Sequence, residues 1–168
     1  MANKASFTPN EWTKVMESVA VTSMAVTAAD PSGLWGMLKE ALAGGAALAA
    51  AKADPNTNEL VKAVIADFET AEGRSAAQEE LKKSFADAKP GDVVPRALGI
   101  LRQASALLEA KAPADAPAFK AWLNSVAARV AEASTEGGFL GFGGVKVSEA
   151  EKATLSDIAK ALGTTAAA

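Results

Sequence analysis

Helix start signals recur along this chain and constrain its fold more than any other feature. Thr8-Pro9-Asn10-Glu11 combines a capping threonine, a proline at the first helical position and a glutamate three residues after the cap. Related signals stand at Asp54-Pro55, at Ser75 with Gln78, and at Ser148 with Glu151. No stretch alternates apolar and polar residues over the length of a strand. The sequence therefore predicts an all-α protein.

Apolar residues at helical spacing follow these signals and predict about seven helices. We expect them at Thr8 to Ala29, Ser32 to Leu42, Asp54 to Gly73, Ser75 to Ala88, Asp92 to Leu108, Asp115 to Ser134 and Ser148 to Gly163. Ala46 to Ala53 is ambiguous, because alanine favours a helix whereas Gly44-Gly45 favours a kink.

The length and composition fit one domain that covers residues 1–168. With 168 residues and 49% apolar composition, much of it alanine, the chain can build one core by close helix packing. Residues 1–6 and 164–168 are expected to be loose termini. A loose match between Trp12 to Ala20 and Trp122 to Ala127 suggests two pseudo-repeated halves.

The chain lacks the side chains that most enzymes use. It has no histidine, cysteine or tyrosine, which leaves no ligands for a typical zinc site or a histidine-bound haem, and no Ser-His or Cys-His pair. We therefore expect no enzyme activity and no cofactor. A net charge of -3 and four scattered arginines also argue against nucleic-acid binding.

The sequence contains no uninterrupted apolar run of the roughly 18 residues that a membrane span needs. The most apolar stretch, Val15 to Ala29, contains Glu17. The start of the chain lacks the long apolar region of a secretory signal. We accordingly expect a cytoplasmic protein without a transmembrane segment.

The glycine-rich stretch from Glu136 to Glu151 holds the least ordinary residues of the chain, Phe139, Leu140 and Phe142. It follows a predicted helix rather than a strand, so it does not match a phosphate-binding loop. Apolar residues in such a loop either fold back over the core or form a contact surface. The contact hypothesis predicts a protein partner, self-association or peripheral membrane contact.

Three tryptophans, Trp12, Trp35 and Trp122, give a second hypothesis. They are either core anchors or the lining of a pocket between helices. In the latter case the protein would be a carrier for a small apolar ligand.

Two segments resemble the repeated pattern of the tellurite-resistance TerB-like family of small all-helical proteins. They are Ala28-Ala29-Asp30-Pro31-Ser32-Gly33 with Glu40, and the segment from Gly144 to Lys152 that leads into Leu155, Ile158, Ala159, Leu162 and Gly163. The resemblance implies a helical module that acts in stress response or assembly through protein contacts. It also implies a third hypothesis, a carboxylate-only metal sensor, whose oxygen ligands would be Asp30, Glu40, Glu149 and Glu151.

Overall fold

The structure is a computed structural model that describes residues 1–29, 45–135 and 147–165, and it confirms the all-α fold class. The α-helices in these ranges are α1 (Pro9–Ala29), α2 (described over 45–53), α3 (Glu59–Glu69), α4 (Ala71–Ser84), α5 (Val93–Lys111), α6 (Ala116–Thr135) and α7 (Glu149–Leu162). Short 3-10 helices lie at Lys4–Ser6 and Pro90–Asp92. The same ranges contain no strand.

The first helix begins as its capping signal predicts. The Thr8 backbone N–H donates to the Glu11 carboxylate at 2.8 Å, and the Glu11 N–H donates back to the Thr8 hydroxyl at 3.3 Å. Phe7, just before the cap, is buried with its ring 5.7 Å from that of Trp12. This local packing fixes the direction in which the chain enters α1.

Helix α1 forms the centre of the bundle. Residues 15–19 span more than one turn and are all buried, so no side of the helix faces solvent there. Helices α3, α4, α5, α6 and α7 all pack against it. Its neighbours contribute fully buried Leu60, Leu101, Phe119 and Ile158 to the core.

Helix α3 begins four residues later than expected. Its cap is Asn58, whose side chain accepts a hydrogen bond from the Leu60 N–H at 2.9 Å. Asp54 instead closes a turn by accepting a hydrogen bond from the Asn56 N–H at 2.8 Å. The predicted start at Asp54 was therefore wrong, because an aspartate before a proline serves a turn as well as a helix cap.

The boundary between α3 and α4 also differs from the prediction. Thr70 caps α4 by accepting a hydrogen bond from the Gly73 N–H at 2.9 Å, so the chain turns there and not at Gly73. Gly73 is a buried residue of α4. The prediction treated Gly73 as a helix breaker, whereas the structure uses its lack of a side chain for close contact with the end of α3.

The remaining helices begin and end close to their predicted positions. Helix α5 begins at Val93 after the N-cap residue Asp92, whose carboxylate accepts a hydrogen bond from the Lys89 N–H and none from α5. Helix α7 starts with the predicted Ser148–Glu151 capping box and ends at Gly163, whose φ of 68° is the left-handed conformation that favours glycine. Residues 45–53 are helical, whereas the predicted helix at 32–42 lies outside the described residues.

Both ends of the described chain are attached to the bundle. Residues 1–6, expected to be loose, are held by buried Ala2 and by an ion pair between Lys4 and Asp67 at 2.9 Å. Near the other end, the Asn124 side chain donates to the Thr164 hydroxyl at 2.6 Å. Whether residues 1–6 and 164–168 are loose termini stays a prediction, and residues 166–168 lie outside the described ranges.

Candidate functional site

Trp12 anchors the start of the chain to α3. Its side chain is only 3% exposed, and its indole N–H donates to the Asp67 carboxylate at 2.7 Å. Burial raises the pKa of Asp67, but the hydrogen bonds from Lys4 and Trp12 outweigh that effect and leave the pKa below its ordinary value. Asp67 is therefore held ionised between the N-terminal segment and α1.

Trp122 lies in a different environment on α6. Its ring meets the fully buried ring of Phe119 edge to face, with centroids 5.3 Å apart, and Trp122 itself is only partly buried. The two described tryptophans thus belong to separate ring pairs, one around Phe7 and one around Phe119. Trp35, the third residue of the predicted pocket, lies outside the described residues.

The outer face of α6 around Trp122 is largely uncharged. Ala118 and Ala121 are exposed, and Ser125, one turn after Trp122, is partly buried. Arg129 follows at the next turn and is exposed. A large aromatic ring among small neutral side chains gives this face an apolar centre with a positive charge at one end.

The predicted contact loop joins α6 to α7. Phe139, Leu140 and Phe142 lie outside the described residues, but both flanking helices are described. Helix α6 continues to Thr135, and α7 starts where the Ser148 N–H donates to the Glu151 carboxylate at 2.7 Å. The capped start of α7 confirms that Ser148 to Glu151 serves a structural purpose.

Of the four acidic residues implied by the family resemblance, two are described by the structure and two are not. Glu149 forms an ion pair with Lys152 at 2.7 Å, and Glu151 is buried in the capping box. Asp30 and Glu40 lie outside the described residues. Within the described ranges, no group of three or more His, Cys, Asp or Glu residues is placed to hold a metal ion.

Sequence reasoning missed a buried polar clamp at Asp115. Its carboxylate accepts hydrogen bonds from the Ala2 N–H at 2.7 Å and from the Asn58 side chain at 2.8 Å. These bonds lower the pKa of Asp115 below its ordinary value, although burial opposes them. The only sequence signal was its position before α6, which indicates a helix cap and not a link to residues far away in the chain.

A surface groove of about 450 Å³ runs beside this clamp. Glu59 and Lys62 line it and pair with each other at 2.9 Å, so their charges are largely balanced. The remaining described lining is Met1, Pro55, Asn56, Thr57, Asn58, Ala114 and Asp115. Apart from the Asp115 carboxylate, which accepts hydrogen bonds from Ala2 and Asn58, the groove presents mostly neutral polar and apolar groups.

Glu17 carries a second buried carboxyl, which lacks the kind of hydrogen-bond partners that Asp115 has. Glu17 is 3% exposed at the packing surface of α1, and its Oε1 has no hydrogen-bond partner. The sequence shows this residue only as an interruption of an apolar stretch. Helix α4 packs against α1, and its residues Glu80 and Ser84 lie near this carboxyl.

Comparison of the chain with protein-family models, curated proteins and solved structures found no match. Functional inference therefore rests on the residues of this chain. None of the described helices is both long and apolar enough to cross a bilayer.

Proposed function

We propose that this chain is a non-enzymatic helical module that acts through protein–protein contacts. The observation that carries the proposal is the partly buried Trp122 on the largely uncharged outer face of α6. Tryptophan is enriched among the residues that dominate binding energy at interfaces, because it offers a large and rigid contact area. The edge-to-face contact with Phe119 favours one orientation of the Trp122 ring, which lowers the entropy cost of binding a partner.

The loop between α6 and α7 supplies the second proposed contact. It carries Phe139, Leu140 and Phe142, the densest group of large apolar residues in a glycine-rich part of the chain. Helices α6 and α7, which flank this segment in the sequence, pack against each other. We propose that one partner contacts both Trp122 and this segment.

The cellular role follows from the resemblance to TerB-like proteins. We propose a cytoplasmic role in stress response or assembly, with a protein partner or a second copy of this chain. The lack of histidine and cysteine supports a binding role over catalysis, because a binding module needs no proton-transferring or nucleophilic side chain.

The proposal is tested by substituting the aromatic residues and measuring association and stability together. We expect Phe139→Ser with Phe142→Ser, and separately Trp122→Ser, to weaken self-association or capture of a partner about tenfold or more. Phe85→Ser is the matched control, since Phe85 is a partly buried aromatic residue at the end of α4. Sedimentation over a range of concentrations and affinity capture from the native host provide the association measurements.

Two results would refute the contact hypothesis. The first is a loss of several kcal/mol in the free energy of unfolding of the loop double mutant with unchanged association, which would make the loop a cover of the core. The second is a small apolar ligand retained during native mass spectrometry of protein from its own host, together with no defined oligomer or partner. That result would favour the carrier hypothesis.

A further inference from the structure

Helix α4 is held to the bundle by unusually small side chains. Gly73 and Ala77 are its buried residues, and Glu80 and Ser84 continue the same face at helical spacing. Leu81 and, at the C-terminal end, Phe85 add partly buried apolar contacts, whereas the rest of the helix is mostly charged or polar. Ala77 is the one fully buried apolar side chain within α4, and elements with few buried apolar side chains open more readily than a protein unfolds as a whole.

Helix α1, which packs against α4, carries a buried carboxyl, that of Glu17, near Glu80 and Ser84. It is 3% exposed, and its Oε1 lacks a hydrogen-bond partner. Ser84 lies near the carboxyl group and lowers its pKa, whereas Glu80 lies close enough to repel its negative charge. An ionised Glu17 is therefore incompletely compensated while α4 is docked, whereas a protonated Glu17 avoids that cost.

The charged groups around Glu17 do not remove this imbalance. Lys14 on α1 lowers the pKa of Glu17, but burial, with a contribution from Glu80, raises it more, so the net pKa lies above the ordinary value of 4.5. Glu80 itself is paired with Lys83 at 3.6 Å. On α5, Arg96 is engaged elsewhere, because its guanidinium donates to the Ser84 carbonyl and to the Asp87 carboxylate. No described group of α3, α6 or α7 contributes to the shift of the Glu17 pKa.

We propose that α4 is a proton-controlled flap, docked on α1 most firmly when Glu17 is protonated and released more often when Glu17 is ionised. This inference is independent of the proposed protein contacts, which involve α6 and α7. When α4 opens, water reaches the Glu17 carboxyl and the polar and small side chains that face it.

The direction of the pH dependence follows from the two states of Glu17. In the open state Glu17 has an ordinary pKa near 4.5, and in the docked state its pKa is higher. Docking is therefore strongest below pH 4.5 and weakens as the pH rises towards the docked-state pKa. For one linked proton, the opening equilibrium constant rises by at most about tenfold per pH unit and then becomes constant.

Hydrogen–deuterium exchange of residues 71–84 between pH 4 and pH 8 tests the proposal, after correction for the intrinsic exchange rates. We expect opening of α4 in the wild-type protein to increase with pH and then level off. Glu17→Gln should keep α4 protected and remove the pH dependence, because the amide resembles the protonated carboxyl. Glu79→Gln is the control, since Glu79 is exposed on α4 and should retain the wild-type profile.

A second variant keeps the test decisive if Glu17→Gln folds poorly. Glu80→Gln retains Glu17 but removes the repulsion, so the rise in opening should finish at a lower pH than in the wild-type protein. A flat wild-type profile would overturn the proposal. So would a wild-type pH dependence in folded Glu17→Gln, or an unshifted profile in Glu80→Gln.

Discussion

The contact between Gly73 and the end of α3 gives a sharp prediction about stability. A Cβ atom at position 73 would lie 2.2 Å from the Asp67 carbonyl oxygen and 2.8 Å from its carbon. Both atoms belong to the backbone, so they cannot move aside as a flexible side chain would. Gly73→Ala must therefore separate α4 from α3 or distort the turn at Thr70.

The magnitude of the effect comes from two opposing terms. Forcing a methyl group into a tightly packed site costs about 3 kcal/mol when backbone has to move. Replacing a helical glycine by alanine stabilises the helix by about 1 kcal/mol, because alanine has the higher helix propensity. We therefore expect Gly73→Ala to lower the free energy of unfolding by about 2 kcal/mol, which corresponds to a decrease in Tm of about 4–8 °C for a chain of this size.

Gly99 provides a matched control within α5. It is also a helical glycine, but a Cβ atom at position 99 would meet nothing within 4 Å. The same substitution should here raise the free energy of unfolding by about 0.5–1 kcal/mol. Urea and thermal unfolding followed by circular dichroism at 222 nm would measure both variants. A Gly73→Ala protein at least as stable as the wild type would refute the packing argument, and destabilisation of Gly99→Ala by a similar amount would show that position 73 is not special.

Two further predictions concern polar contacts. Asp115→Ala should lower the free energy of unfolding by about 2–3 kcal/mol, because Ala2 and Asn58 each lose an ionised acceptor. Since the pKa of Asp115 is lowered, its stabilisation is complete above its ordinary value of 3.8 and is lost as the pH falls further. Urea unfolding at pH 7 and pH 3 should show a smaller effect at pH 3, and an equal loss at both would contradict the ionic contribution. Ser148→Ala should lower the free energy of unfolding by about 1 kcal/mol, because it removes the cap of α7. An unchanged free energy of unfolding would contradict the capping role.

Sequence reasoning located helices best where their signals are local. The starts of α1 and α7 were predicted correctly because each capping box joins residues only three positions apart, as Ser148 and Glu151 show. The corner between α3 and α4 was misplaced because the deciding contact, between Gly73 and the backbone of Asp67, depends on the packing of two helices. Local signals cannot distinguish a glycine that ends a helix from one that permits close approach.

The candidate sites were less predictable because they depend on distant residues. Asp115 contacts Ala2 across 113 positions and Asn58 across 57, and no periodic pattern connects them. Trp12 and Trp122 look equivalent in the sequence, yet one is hydrogen-bonded in the core and the other is partly exposed on α6. The contact role of Phe139, Leu140 and Phe142 stays a prediction.

The central position of α1 has a consequence for how the protein is made in the cell. This helix is synthesised before α3 to α7, which cover its apolar sides and the last of which ends at Leu162. At a translation rate of about 5–20 residues per second, roughly 7–27 s separate the synthesis of residue 29 from that of residue 162. During that interval Val15, Met16 and Val19 lack their final covering, so the nascent chain offers a binding segment to chaperones before the bundle can close.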